Sequence, residues 1–320
     1  MPPKNRNKIA AIDIGSNTVL LTIVQRLNNG LCKVLLDQAE IPRLAKNLKP
    51  RKNFDPKAKA RAFLVLKKYK KICDQYQVNK VLAVGTAAFR KAKDGYLFAK
   101  QIFDELKIPV EIISGEEEAR LSYLSAKQDF AKHGVKIGMI DIGGGSTEIV
   151  SERHGQLKKI SLPIGSVSLT EKFIHRHPIS DLEWNQLKNF IDESIMDPGA
   201  KPGMTLVFRQ RQTRAKRKWV GVAATVTSLL AVLKKMKTYD PKKIHGKTLT
   251  LQQIEKLTEA LRKLSLADRK CFPGMHPKRA DVLPTGGLIL SRLMRYLKFK
   301  KITVSNHGLR YGVLFEIHPR

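Results

Sequence analysis

A chain of 320 residues, 42% of them hydrophobic, carries enough apolar material for two folded domains, which excludes a disordered polymer. Its 60 Lys and Arg against 28 Asp and Glu give a formal net charge of +32, pointing to a polyanionic partner: nucleic acid, polyphosphate or an anionic membrane face. The three cysteines, Cys32, Cys73 and Cys271, show neither disulfide nor zinc spacing, which fits a reducing cytoplasm, and no uninterrupted run of about 18 apolar residues is present to cross a membrane.

The basic start MPPKNRNK leads into an apolar run, but Asp13, Ser16 and Asn17 interrupt it, unlike a signal peptide. Strands are predicted at Ile9–Ile14, Val19–Arg26, Cys32–Gln38, Lys80–Gly85 and Val110–Ile113, where β-branched residues concentrate. A helix over Pro56–Tyr76 places Ala62, Leu66, Tyr69 and Cys73 on one stripe. Further helices are predicted at Gly95–Leu106 and Glu116–Lys132, the latter introduced by Ser114-Gly115. The pattern restarts at Ile137, so the architecture is duplicated, with a domain boundary near 125–135. In the second half, helices are predicted at Ser180–Met196, Thr225–Met236, Thr250–Ser265 and Gly287–Leu297. Ser180 and Glu183 form a capping box. Between the first two of these, Asp197 to Lys218 is rich in Pro, Gly, Arg and Lys; Arg209, Arg211, Arg214, Lys216, Arg217 and Lys218 make it either a solvated loop or strand edge, or a contact for an anionic chain.

Two similar segments dominate the chemistry. IAAIDIGSNTVLL runs from Ile9 to Leu21, and GMIDIGGGSTEIV from Gly138 to Val150. In each, an apolar strand ends in Asp-Ile-Gly and enters a small-residue turn. Glycine lets such a turn present its amides to a ligand with no Cβ in the way. A single glycine turn is an unspecific signal; two with the same Asp are expected to grip a phosphate chain from both sides, with Asp13 and Asp141 facing a metal or a water. IISGEEEARLSYL places Glu116, Glu117 and Glu118 at a helix start. That is an ordinary dipole preference, yet any one of the three is also suited to orient and deprotonate a water, with Arg120 to balance the charge. In VGTAAFRKAKDG, Arg90 follows a strand and a small-residue turn, where it either grips phosphate oxygens with two prongs or makes a surface ion pair. His175, His177, His276 and His307 carry no ligand spacing and read as structural or solvated.

AIDIGSNT at Ala11–Thr18, VGTAAFRKAKDG, ISGEEEARLSYL, IDIGGGSTE at Ile140–Glu148, LPIGSVSLTEKF at Leu162–Phe173 and GLRYGVL at Gly308–Leu314 together resemble the Ppx/GppA phosphatase family in its short two-domain form. The resemblance implies an α/β fold: two ribonuclease-H-like domains of the actin/hexokinase/Hsp70 superfamily with a cleft between them. The domains are placed at 1–128 and 129–306, with a C-terminal helix of about 307–320 packing back on the first. It further implies metal-assisted release of terminal orthophosphate from inorganic polyphosphate, or alternatively from guanosine pentaphosphate, by a cytoplasmic hydrolase. Glu118 would be the water-activating base. Asp141 and Glu148 would be acids around metal and water, and Arg90 the phosphate-gripping arginine. Ser16, Asn17 and Thr18 fall on the first phosphate loop, Gly144, Gly145, Ser146 and Thr147 on the second, and Asp13, Asp141 and Glu148 on the positions holding Mg²⁺ or another divalent metal.

The chain departs from the family pattern in four places. Leu20 stands where a basic residue is expected, and Tyr311 where a Glu is. EIPRLAKNL lacks the usual glycines. Ala223-Ala224-Thr225 replaces a GGT turn that approaches the nucleoside in nucleotide-binding relatives, which speaks against nucleotide binding and against an ATP-driven kinase or chaperone. A nucleic-acid-binding protein with a secondary phosphatase site is a competing reading that the charge supports. The 7% aromatic content and the lack of an interleaved aromatic motif oppose it. Any dimer would use the surfaces of these two domains.

Overall fold

The structure is a computed structural model that describes residues 8–27, 32–48, 52–131, 135–153, 155–196 and 217–317. Most of the basic segment, with Arg209, Arg211, Arg214 and Lys216, lies outside the described residues, as do the basic N-terminus and residues 318–320. The chain divides into two compact units, one of residues 1–125 with 309–320, the other of residues 126–308.

The first unit is built on a five-stranded sheet of β1 (Lys8–Ile14), β2 (Val19–Arg26), β3 (Cys32–Glu40), β4 (Lys80–Gly85) and β5 (Val110–Ile112), in the order β3-β2-β1-β4-β5. β1 pairs antiparallel with β2 and parallel with β4. Residues 9–12 and 14 of β1 are all buried, as a strand covered on both faces requires. The helix Pro56–Gln75 is capped by Asp55, whose carboxylate accepts from the Ala58 amide at 2.8 Å. Its buried stripe of Ala58, Ala62, Leu66, Tyr69 and Cys73 faces the core, where the Tyr69 hydroxyl donates to the Val19 carbonyl at 3.1 Å. Phe54, Phe89 and Phe98 pack with ring centroids 5.7 Å apart under the helix Gly95–Leu106. The last helix, Leu309–Ile317, returns to this unit. There Leu309 and Val313 bury against Val84, Ile113 and Leu121, and a Cβ on Gly312 would stand only 2.0 Å from the Leu121 carbonyl oxygen.

The second unit carries β6 (Lys136–Ile142), β7 (Thr147–Arg153), β8 (Gln156–Leu162), β9 (Arg217–Val222), β10 (Thr248–Thr250) and β11 (Lys301–Val304), in the order β10-β11-β9-β6-β7-β8. Read from β8 to β11, this repeats the first sheet strand for strand: two antiparallel pairings and then two parallel ones. The duplication expected from the two glycine segments is therefore present in the topology, and each unit is an α/β ribonuclease-H-like domain. The helix Leu283–Tyr296 runs through the core of the second unit. It begins four residues before the predicted Gly287, because Pro284 sits in its first turn and buried apolar residues continue back to Leu283. Of the basic segment, read as a solvated loop or strand edge or as a contact for an anionic chain, Arg217 and Lys218 open the strand β9, which pairs with β6 despite their charge.

Candidate active-site residues in the two units

The two hairpin turns have the same geometry. In the first unit the Gly15 amide donates to the Thr18 carbonyl at 3.0 Å, and in the second the Gly143 amide donates to the Ser146 carbonyl at 2.9 Å. The turn carbonyls are pinned from behind. Ser16 O accepts from the Ala45 amide at 2.8 Å and Asn17 O from Arg43 at 3.1 Å, while Gly143 O accepts from Ser166 and Gly144 O from Val167 and Ser168, all at 2.9 Å. Among the described residues, the amides of Ser16, Asn17, Gly144, Gly145 and Ser146 donate to no other group, so each turn holds a fixed set of amides of the kind that suits an anion. The second turn depends on Gly165, where a Cβ would lie 2.3 Å from the Gly144 carbonyl oxygen. A threonine after the neighbouring parallel strand braces each hairpin: Thr86 Oγ1 donates to Ile14 O at 3.4 Å, and Thr225 Oγ1 to Ile142 O at 3.1 Å. Thr147, expected on the phosphate loop, is buried, and its hydroxyl donates to Ile164 O at 2.6 Å, which makes it a brace of the turn.

In the first unit, Glu118 sits in the first turn of the helix Gly115–Phe130, which Ser114 caps by accepting the Glu117 amide at 3.1 Å. The three carboxylates separate in role. Arg120 pairs with Glu117 at 2.7 and 2.8 Å and also with Glu316, so it balances Glu117 and not the neighbouring Glu118. Arg90 takes Glu118: Nη2 donates to Glu118 Oε2 at 2.9 Å, and Nη1 donates to the Ile113 carbonyl at 2.7 Å. The two prongs of Arg90 thus fix the orientation of the Glu118 carboxylate.

Asp13, at the end of β1, is pushed up from 3.8 to about 7 by burial first and by the charge of Glu118 second, against the opposing pull of Arg310. Arg310 is itself buried. Its Nη2 donates to Asp37 Oδ1 at 2.8 Å and Oδ2 at 3.0 Å, and its Nε donates to Thr22 Oγ1 at 2.7 Å. The Tyr311 hydroxyl donates to Asp37 Oδ2 at 3.1 Å, so the residue that replaces the family's expected Glu completes this network. Asp37 and Arg310 were not singled out from the sequence; the GLRYGVL segment held the only signal.

The raised pKa of Asp13 has a stability consequence. The folded metal-free protein holds a proton that the unfolded chain releases above 3.8, so Asp13's contribution is intact below that pH and is lost as pH rises through about 7. Asp13→Asn is therefore expected to gain stability relative to wild type between pH 5 and pH 8, with a chelator present. Urea unfolding at the two pH values measures this, and a pH-independent difference would refute the burial of Asp13 as an acid.

In the second unit, Asp141 on β6 and Glu148 on β7 are direct cross-strand partners, which puts both on one face of the sheet. Ser161 Oγ donates to Glu148 Oε1 at 2.9 Å. At the matching register of the first unit, Asp13 faces Leu20, so the acid pair exists in one copy of the hairpin only. Asp13 in the first unit, and the Asp141–Glu148 pair in the second, each offer the hard carboxylate oxygens that Mg²⁺ takes. The Ala223 turn keeps its shape without glycine, since Ala223 itself adopts φ 64°. A non-glycine residue in this left-handed conformation carries some strain.

The chain matches the Ppx/GppA phosphatase family over residues 23–320. It is 29% identical to exopolyphosphatase 2 of Mycobacterium tuberculosis, over 97% of this chain and 98% of that one. It is 33% identical to the bifunctional 3-dehydroquinate synthase/phosphatase of Fusobacterium nucleatum over 98% of its own length, but spans only 47% of that protein. The crystal structure of an Aquifex aeolicus Ppx/GppA family member is similar at 32% identity and TM-score 0.78, covering 97% of both chains.

Proposed function

The chain belongs to the Ppx/GppA phosphatase family of phosphoanhydride hydrolases, and within it we propose an exopolyphosphatase that releases terminal orthophosphate from inorganic polyphosphate. The observation that carries this reading is the duplicated turn, whose pinned carbonyls leave a row of amides for phosphate oxygens in each unit. Attack on a terminal phosphoryl group needs alignment and charge stabilisation more than covalent help. Glu118, held by Arg90, orients the attacking water in line with the scissile bond and takes its proton. The amides of Ser16, Asn17, Gly144, Gly145 and Ser146 bind the phosphate oxygens. Asp13 in the first unit, and Asp141 with Glu148 in the second, are the carboxylates that would serve as ligands to a divalent cation, which when bound supplies neutralisation of charge on the transferring group.

Three observations favour polyphosphate over guanosine pentaphosphate. The +32 charge suits a long anionic chain. The match to the mycobacterial exopolyphosphatase runs over 98% of that protein, whereas the guanosine-5'-triphosphate,3'-diphosphate pyrophosphatase of Vibrio vulnificus, 27% identical, is matched over 59%. The Ala223 methyl also occupies the turn where nucleotide binding would need glycine. The expected result is a higher kcat/KM for long polyphosphate than for guanosine pentaphosphate; the reverse order would assign the second substrate. Polyphosphate affinity should also fall log-linearly with salt, as counterion release requires, and a flat profile would show that the positive charge plays no part in binding it.

Gly165→Ala tests the second turn. Its Cβ would stand 2.3 Å from the Gly144 carbonyl oxygen, and displacing that turn by about 1 Å is expected to lower kcat/KM about a hundredfold. Steady-state kinetics beside circular dichroism reads this out, and an unchanged kcat/KM in a folded variant would take Gly144 and Gly145 out of phosphate binding.

A further inference from the structure

We propose that Asp129, His245 and His307 form a second cation site in the unit of residues 126–308, one that selects a borderline transition metal such as Zn²⁺ or Co²⁺ rather than Mg²⁺. The proposal is independent of the phosphatase reading. One ligand atom from each residue lies within 4.8 Å of the other two. His307 Nδ1 is 2.7 Å from Asp129 Oδ2, and His245 Nε2 is 3.9 Å from the same oxygen. Tetrahedral zinc with bonds near 2.05 Å places its donors about 3.3 Å apart, a spacing that the two distances to Asp129 bracket, and no two of the three donor atoms lie more than 4.8 Å apart. The Asp129 side chain is 4% exposed while the imidazoles are 28% and 19% exposed, leaving the site largely dry but open to an ion from the imidazole side.

The supporting residues already orient the donors. Ser305 Oγ accepts from the His307 amide at 3.1 Å and donates to the His307 carbonyl at 2.9 Å, folding 305–307 into a tight turn. The Tyr239 hydroxyl donates to Asn306 Oδ1 in that turn. The His245 ring stacks on Phe130 at 5.1 Å and on His307 at 4.1 Å. The Asn306 amide lies 3.4 Å from His245 Nδ1, which directs Nε2 to Asp129. A metal on Nε2 puts the proton on Nδ1, so this long contact is the one that binding gives up.

An Asp–His ion pair alone would use one imidazole; here two converge on one buried carboxylate. Two imidazole nitrogens and one carboxylate oxygen suit zinc, cobalt or nickel, whereas Mg²⁺ asks for six oxygens. Three protein ligands leave a fourth position for water. The ligands come from the end of the helix Gly115–Phe130, the residue after the short helix Pro241–Ile244, and the segment between β11 and the last helix, so an ion there ties together three parts of the chain remote in sequence.

Cobalt titration of the chelator-treated full chain, with excess Mg²⁺ present throughout to occupy carboxylate sites, tests the proposal. One equivalent of Co²⁺ should give the visible d–d bands of a four-coordinate ion. Zinc should abolish the bands and raise the wild-type melting temperature, while more Mg²⁺ should leave them in place. His245→Ala and His307→Ala should lose both the bands and the zinc-induced stabilisation. His245→Gln and His307→Gln, which keep a polar side chain, serve the same end should the alanine variants fail to fold. Absence of the bands in the wild type, their persistence in the folded histidine variants, or their loss to Mg²⁺ would overturn the site.

Discussion

Glu118→Gln is expected to lower kcat for orthophosphate release a hundredfold or more, at least about 2.7 kcal/mol of transition-state stabilisation, with KM little changed. The amide keeps the volume of the carboxylate and a hydrogen-bonding oxygen but no longer takes a proton from water. The structure adds a second expectation. Arg90 grips Glu118 Oε2 at 2.9 Å while anchored on the Ile113 carbonyl at 2.7 Å, so Arg90→Lys should also lower kcat, because an ammonium cannot hold both partners in a fixed plane. A wild-type kcat in Glu118→Gln would remove Glu118 from the role, and Arg90 from positioning it.

The second large effect is on stability. Asp37→Ala leaves the guanidinium of Arg310 buried without the carboxylate that binds it at 2.8 and 3.0 Å. Breaking a buried pair by removing one partner costs about 3–5 kcal/mol. That is a large share of the roughly 5–15 kcal/mol by which a folded protein is stable. The double variant Asp37→Leu with Arg310→Met should recover most of the loss, since it leaves no uncompensated charge. Urea unfolding of wild type, single and double variants measures both. A single-variant loss under about 1 kcal/mol would show that water reaches Arg310. The pair also faces Asp13, whose pKa Arg310 pulls down, so Arg310→Met should push the Asp13 carboxyl higher still.

What the sequence disclosed follows from the range of the forces involved. The strands of the first unit fall within two residues of their predicted ends, because β-branched runs, glycine turns and caps are local signals. The hairpin duplication was readable for the same reason: Asp-Ile-Gly and a small-residue turn are contiguous in both copies. Long-range partners were not readable. Asp37 and Arg310 are 273 residues apart, and Asp129 and His307 are 178 apart, so no spacing rule connects them. Local charge left β9 undecided: Arg217 and Lys218 suited a solvated loop, a strand edge or a contact for an anionic chain, and a place between β6 and β11 decides the strand. At Ala223 the backbone departs from the usual preference for glycine. A residue other than glycine adopts the left-handed turn, at a local cost that the surrounding unit sustains.

Hydrolysis in ¹⁸O-labelled water reads out whether water, directed by Glu118, attacks the terminal phosphorus of a polyphosphate chain. With long polyphosphate and Mg²⁺, each orthophosphate released from the chain end should carry one labelled oxygen, the shortened chain should carry none, and release should fall a hundredfold or more in Glu118→Gln. Label on the shortened chain, or no orthophosphate release from the wild type with Mg²⁺ present, would contradict it.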